Sequence, residues 1–416
     1  MMGKVDHIIG IQDEAREILA KLESRNVPPS GLNYFTVGDS FRSGLFSVKE
    51  DVLALLNEPS SLERVIIGGF GAGKTHFLSY LEWLLQKDAP QECVISRVDM
   101  SDIRDINEFE FLVVQGLRPV NGEGNYVDVL RQAYQRIRDS YMKRYHNVSQ
   151  KDIELFYGTI IFSVLGHASQ GWVNKEMLQL LKVNDPIDKF INYISGKTIQ
   201  NLFDKARVNA NSEHVNFVDS YLQMIRSPNT PISAFEEPAR GLSCRGRLTD
   251  VVFKVLHLSG IKLIVLLVDE LESLSRFETF DVRKILVSIR DFRDTLGRIG
   301  ANPGYPSVAF LTASTGAFFE KIYEEEPALY SRWEDRIIPL EFMSIADVDN
   351  LIFKLRELYY LAGYTLLPVQ RYEDTHDVIR LREDVFEYFS RTSKSMTTRR
   401  LISLLIEKVA ERWVVD

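Results

Sequence analysis

Eight consecutive residues, Gly68-Gly69-Phe70-Gly71-Ala72-Gly73-Lys74-Thr75, fit the pattern G-x-x-x-x-G-K-[ST] with no mismatch. Their residue types share one use, the holding of a polyphosphate. Glycines let backbone N–H groups turn inward and approach phosphate oxygens with no Cβ in the way. A helix starting at Thr75, with His76 in its first turn, adds its dipole and its free N–H groups to the anion site. Lys74 can reach β- and γ-phosphate oxygens, and the Thr75 hydroxyl is a hard oxygen ligand suited to Mg²⁺. The expected ligand is ATP with Mg²⁺.

A second constellation ends an apolar run in two acids: Lys262-Leu-Ile-Val-Leu-Leu-Val-Asp269-Glu270. A carboxylate at the tip of a buried strand beside the loop's strand is the other half of such a site. Asp269 is expected to hold Mg²⁺ through a water, since magnesium gives up its waters reluctantly. Glu270 is expected to orient and polarise the attacking water. No N-K-x-D segment for guanine selection is present, nor an H-E-x-x-H metal pattern or a nucleophile elbow.

These residues need a scaffold, and the surrounding pattern supplies an α/β one. A helix over roughly 46–57 leads to the strand Arg64–Ile67, the glycine turn, a helix over 75–86 and a strand at Cys93–Val98. Strand, glycine turn, helix, strand is the start of a parallel sheet. From about 105 to 255 the periodicity is helical, which reads as a mainly helical insertion. Strands return at Lys262–Val268 and Ser307–Thr312, and the tail reads as helices over 345–362, about 381–391 and 397–413. The expected fold class is an α/β P-loop NTPase core with a parallel sheet, this insertion and a C-terminal helical lid. The expected domains are an N-terminal helix (1–30), the nucleotide-binding core (31–343) and the lid (344–416).

Composition narrows the setting. The chain has 416 residues, 45% of them hydrophobic and 26% charged, as in ordinary soluble proteins. Cys93 and Cys244 form no C-x-x-C pair, so neither a zinc pattern nor a disulfide framework is expected. The apolar runs, such as Ile264–Val268, are far shorter than a membrane span, and the first residues lack a signal-peptide core. A cytoplasmic protein that does not cross a membrane is expected. The net charge of −8 argues against a dedicated nucleic-acid coat protein, yet a local basic patch could still hold phosphates.

With both motifs in place, the chain resembles an AAA+ ATPase of the extended initiator/STAND-like group, with the loop as its Walker A and the acidic strand as its Walker B. More narrowly, it resembles the ATP-binding proteins of BREX-type anti-phage defence systems. The residues that carry this are Val27-Pro28-Pro29 through Gly31-Leu32, Phe35 and Val37-Gly38, the loop GGFGAGKTHFL, the strand LIVLLVDELESL, and FLTASTGAFF at 310–319. The resemblance implies ATP hydrolysis, a homo-oligomer or hetero-complex, and other defence-system proteins as partners, with DNA an open question. It places Val37 and Gly38 by the adenine and makes Ser307–Thr312 the sensor-1 strand, with Thr312 or Ser314 near the γ-phosphate. Many AAA+ proteins have asparagine there. Arg332, in the segment before the strand Ile337–Leu340, resembles an arginine finger, with Arg336 in reserve. Thr397-Thr398-Arg399-Arg400-Leu401 resembles a sensor-2 motif; Thr398 stands where a proline is usual, which leaves Arg399 or Arg400 as its arginine.

Two further arginine groups stand apart from these motifs. Arg240, Arg245 and Arg247 cluster before the acidic strand, and Arg283, Arg290 and Arg293 recur at helical spacing. Either could meet DNA phosphates or an acidic partner, although a solvated surface balanced by neighbours such as Asp281 and Asp291 is the preferred reading.

Overall fold

The computed structural model describes residues 12–20, 38–58, 60–89, 91–119, 124–144, 148–166, 197–227, 229–244, 246–300, 302, 304–341, 343–366, 373–392 and 398–415. It is a mixed α/β structure with one six-stranded, mostly parallel sheet. In chain order its strands are β1 (Ser61–Gly68), β2 (Cys93–Asp99), β3 (Leu117–Pro119), β4 (Leu263–Asp269), β5 (Ser307–Ser314) and β6 (Ile337–Leu340), arranged β3-β2-β4-β5-β1-β6. The chain divides into two compact units, one of Met1–Lys49, Ile66–Leu84 and Ile338–Asp416, the other of Glu50–Val65 and Leu85–Ile337.

In the second unit, β4 and β5 are buried at every residue. Runs of Val, Ile and Leu such as Leu263–Val268 suit this position, where both faces of a parallel strand are covered. β2 runs parallel to β4 from Cys93 opposite Leu263 to Asp99 opposite Asp269, and β4 parallel to β5 from Leu263 opposite Ser307. The three residues of β3 pair antiparallel with β2, Arg118 opposite Ile95. This strand was missed by the helical reading of residues 105–255, because three residues carry no measurable alternation. A Cβ on Gly116, just before it, would meet the Arg97 carbonyl oxygen at 2.2 Å, so only glycine allows this approach.

The rest of that stretch is helical among the described residues, with helices at Phe109–Gln115, Tyr126–Arg144, Gln150–Gly166, Lys197–Asn209, Ser212–Arg226, Ser233–Ser243 and Leu248–Leu258. Helix Gln150–Gly166 is buried from Ile153 onward, as an element apolar on all sides must be. An aromatic cluster joins it to its neighbours, with the Tyr134 and Tyr157 rings 5.3 Å apart and Tyr221 and Phe235 6.0 Å apart. Helix Thr279–Gly300 is amphipathic and buries Val282, Ile285, Leu286, Ile289 and Phe292 at three- and four-residue intervals.

The first unit holds the end of β1, the glycine turn and most of helix Lys74–Asp88. Its remaining helices are Ile345–Leu361, Glu373–Thr392 and Thr398–Trp413, with a short ribbon pairing Thr365–Leu366 and Val414–Val415. Ser344 starts the first of these with a capping box, its hydroxyl accepting from the Asp347 N–H while the Asp347 carboxylate returns to the Ser344 N–H. Ala15, Ile18 and Leu19, from a helix over 12–20, share one apolar core with Leu351, Leu355, Leu405, Val409 and Trp413. Among the described residues no helix is long and apolar enough to cross a membrane.

Candidate nucleotide site

The glycine turn has the backbone that its sequence requires. Gly71 and Gly73 sit at φ 81° and 95°, where a side chain would be strained. A Cβ on Gly68 would meet the Ala72 Cβ at 2.9 Å, so the strand end and the turn close tightly on each other. The Ala72 N–H donates to the Gly69 carbonyl at 3.1 Å, and the Phe77 N–H to Gly73 at 2.8 Å, which starts the helix. Lys74 is buried, and its Nζ donates to the carbonyls of Gly68 at 3.3 Å and Gly69 at 3.4 Å. The ammonium is thus folded back over the turn. Thr75 is exposed in the first helical turn, and Phe70 stands 77% exposed on the turn.

His76 packs among aromatic rings. Its ring lies 5.8 Å from that of Phe41 and 6.2 Å from that of Tyr80. Burial lowers its pKa to about 4, so the imidazole is neutral at pH 7. Gly38 has φ 97° and packs on Asp347, whose carboxylate lies 3.4 Å from where a Cβ would be. Val37 and most of the segment leading to it lie outside the described residues.

The acidic pair at the end of β4 has a distinct geometry of its own. Asp269 is 3% exposed, and both its carboxylate oxygens are engaged. Oδ2 accepts from Arg97 Nη2 at 2.8 Å, and Oδ1 accepts from the Glu270 N–H at 3.0 Å. Glu270 is the one non-glycine among the described residues with positive φ, at φ 59° and ψ 39°. A left-handed residue with a Cβ is strained by roughly 1–2 kcal/mol, a departure often found where a side chain is aimed for function. Ser273 Oγ donates to Glu270 Oε2 at 3.3 Å. Burial raises the Glu270 pKa, with the neighbouring carboxylates of Glu272, Asp269 and Asp99 adding to it. Glu272 in turn accepts the Thr315 N–H at 3.2 Å, tying this turn to the end of β5.

Strand alternation sorts the remaining polar residues. Thr312 pairs with Val268, so Thr312 and Ser314 lie on the sheet face opposite the one that carries Asp269. Thr312 Oγ1 is buried with no hydrogen-bond partner among the described residues, and Ser314 Oγ donates to the Thr315 carbonyl at 3.2 Å. Arg332 donates to the Ala328 carbonyl at 2.7 Å and to Asp294 at 3.1 Å. Arg336 is ion-paired with Glu63, which also takes Arg293 at 2.7 Å. Arg290 bridges Asp291 and Glu326, and Arg247 faces Asp250. Glu63 and Glu326 are buried, so the pairs of Arg290, Arg293 and Arg336 are partly desolvated where a solvated helix surface was expected for Arg290 and Arg293. Arg245 and the side chain of Arg399 lie outside what is described.

Arg97 is the residue that motif reading passed over. A signal existed: it is the only charge within the CVISRV run of β2. Its role is a matter of register, since Arg97 lies two residues before Asp99, the partner of Asp269, and so on the same face.

A divalent ion fits this chemistry in part. Thr75 and Asp269 are hard oxygen donors suited to Mg²⁺. Among the described residues no group of three or more His, Cys, Asp or Glu side chains could hold a metal by itself. Magnesium is usually bound by one or two carboxylates together with waters and substrate phosphates, so a dedicated cage is not required.

No curated protein and no solved structure matches this chain. Residues 11–110, which contain the glycine turn and β2, match the family model described as BREX system ATP-binding protein BrxC/D, and over that segment the chain is similar to the ATP-binding proteins of BREX systems.

Proposed function

We propose that this chain binds ATP–Mg²⁺ on Gly68–Thr75 and hydrolyses it, acting as an AAA+ switch or motor in a prokaryotic, BREX-like anti-phage system. The observation that carries the reading is the turn itself. A complete phosphate-binding sequence adopts the left-handed glycines and helix start that such a loop needs, inside the segment similar to BREX ATP-binding proteins. The backbone N–H groups of Gly69–Gly73 cradle phosphate oxygens, and Lys74 swings from its own carbonyls to the β- and γ-phosphates. Thr75 and Asp269 hold Mg²⁺, which when bound neutralises charge on the phosphates. Glu270, held off the regular strand path by its left-handed backbone, takes the proton of the attacking water.

The remaining roles follow from the resemblance. Helices Ile345–Leu361, Glu373–Thr392 and Thr398–Trp413 act as the lid, with Arg399 or Arg400 reaching the nucleotide. Thr312 or Ser314 senses the γ-phosphate, Val37 and Gly38 border the adenine, and Arg332 leaves Asp294 to complete a neighbouring subunit's site. Other defence-system proteins, and DNA, are the proposed partners of a cytoplasmic assembly.

A slower, switch-like scaffold is favoured by one observation: both Asp269 oxygens are already occupied, by Arg97 and by the Glu270 N–H. The test is phosphate release from ATP–Mg²⁺ by wild type and Glu270→Gln across protein concentration, with and without duplex DNA. Release that rises per subunit with concentration and vanishes in the variant supports the hydrolysing assembly. Tight ATP binding with negligible release under every condition makes the scaffold the better reading.

A further inference from the structure

The end of β2 opens on a cavity of about 590 Å³ whose lining includes four arginines, Arg97, Arg104, Arg118 and Arg240. Strand register explains part of this convergence. Arg118 on β3 pairs with Ile95, so it shares a sheet face with Arg97 and Asp99. Three acids, Asp99, Asp102 and Glu108, line the same cavity. Glu108 is paired with Arg240 and accepts the Arg104 N–H at 3.1 Å, and Asp99 accepts the Ser101 N–H at 2.8 Å. The Arg240 guanidinium also lies 4.0 Å from the centre of the Phe111 ring, which fixes its plane. Arg104 and Arg118 are exposed and make no ion pair with any described residue. Two guanidinium forks without an ion-pair partner among the described residues therefore face a cavity of ligand size, with the carboxylates of Asp99 and Asp102 in the same lining.

We propose that this cleft binds a phosphate ester, gripped by Arg104 and Arg118 with Arg240 and Arg97 beside them. Planar guanidinium forks match phosphate oxygens two at a time, which a carboxylate at another point of the lining does not prevent. The site is separate from the glycine turn and does not depend on how that turn is used. One consequence does rest on the proposed role of Asp269: a phosphate in the cleft competes with Asp269 for the Arg97 guanidinium, and so frees that carboxylate for Mg²⁺.

The test uses the full chain without ATP and with EDTA present. Binding of inorganic phosphate, a fluorescent thymidine oligonucleotide and a fluorescent oligoglutamate is measured for four proteins. These are wild type, Lys74→Ala, the double variant Arg104→Ala/Arg118→Ala, and Arg138→Ala/Arg207→Ala, which removes two charges outside the cleft. Melting curves confirm that each is folded. At least one phosphate probe is expected to bind wild type and Lys74→Ala alike, to weaken about tenfold or more in the cleft variant, and to hold in the surface control. Phosphate without oligonucleotide binding identifies a small phosphorylated ligand, and oligonucleotide binding a nucleic-acid backbone. The proposal is overturned if neither phosphate probe binds, if Lys74→Ala or the surface control loses binding as the cleft variant does, or if oligoglutamate binds as tightly.

Discussion

Arg97 Nη2 lies 2.8 Å from Asp269 Oδ2, so an arginine of β2 holds the one acid of β4 that is proposed as a metal ligand. The carboxylate side chain is 5% exposed and the guanidinium 16%, which makes this a largely desolvated pair. Such a pair stabilises the strand ends mainly in the sense that neither partner tolerates losing the other.

Arg97→Gln is expected to lower folding stability by about 3 kcal/mol, because Asp269 keeps only its bond from the Glu270 N–H. Urea midpoints measure this. The same variant should need less Mg²⁺ to bind ATP, as read by a fluorescent nucleotide analogue titrated with the metal.

Lys74→Ala is expected to weaken ATP binding by about 30-fold, on the order of 2 kcal/mol for a buried cation meeting phosphate. Stability in the absence of nucleotide should change little, because the lysine's two carbonyl contacts, at 3.3 and 3.4 Å, are long. Calorimetric titration and thermal melts separate the two effects.

Glu270→Gly should make the protein more stable by roughly 0.5–1 kcal/mol, the left-handed strain less the extra entropy of an unfolded glycine. Glu270→Gln keeps the Cβ and its strain, and gains only what relief of the repulsion from Glu272, Asp269 and Asp99 supplies. Both are expected to lose ATP hydrolysis. A melt in which the glycine variant is the less stable would refute the strain argument.

Glu110 accepts the backbone N–H groups of Leu248 and Thr249 at 3.1 and 3.4 Å, yet burial pushes its pKa up to about 8. The folded chain keeps this proton where the unfolded carboxyl, near 4.5, has lost it. Stability should therefore fall as the pH rises from about 4.5 to about 8, by at most about 1.4 kcal/mol per unit, and level off above. Glu110→Gln keeps an acceptor for both N–H groups and should flatten this slope in urea melts taken at several pH values.

Gly116→Ala would drive a Cβ into the Arg97 carbonyl at 2.2 Å. Loss of the short β3 pairing, and on the order of 2–3 kcal/mol of stability, is the expected outcome. Amide exchange of Ile95 and Arg118 would report whether β3 has detached.

Local chemistry made much of the fold readable. Apolar β4 and β5 were legible because strands buried on both faces need unbroken runs of Val, Ile and Leu; the observed strands extend only one or two residues beyond the expected ends. The glycine turn was legible because only that residue order permits its backbone, and the C-terminal helices because their apolar periodicity is long. The first helix of the core was expected at roughly 46–57 and runs Asp39–Ala54, because Gly44 breaks the propensity signal while tertiary packing of Leu45 and Val48 carries the helix through.

By itself, then, the sequence determined the elements and residue types of the candidate site, since phosphate loops and acid-tipped strands are written in consecutive residues. Tertiary structure alone decided which residues share a face. The register of β2 on β4 joins Arg97 to Asp269 across an interval of 172 residues, and that of β3 on β2 adds Arg118 to the same face. A one-residue slip would turn Arg97 to the other side of the sheet, and no local pattern fixes register between strands so far apart in the chain.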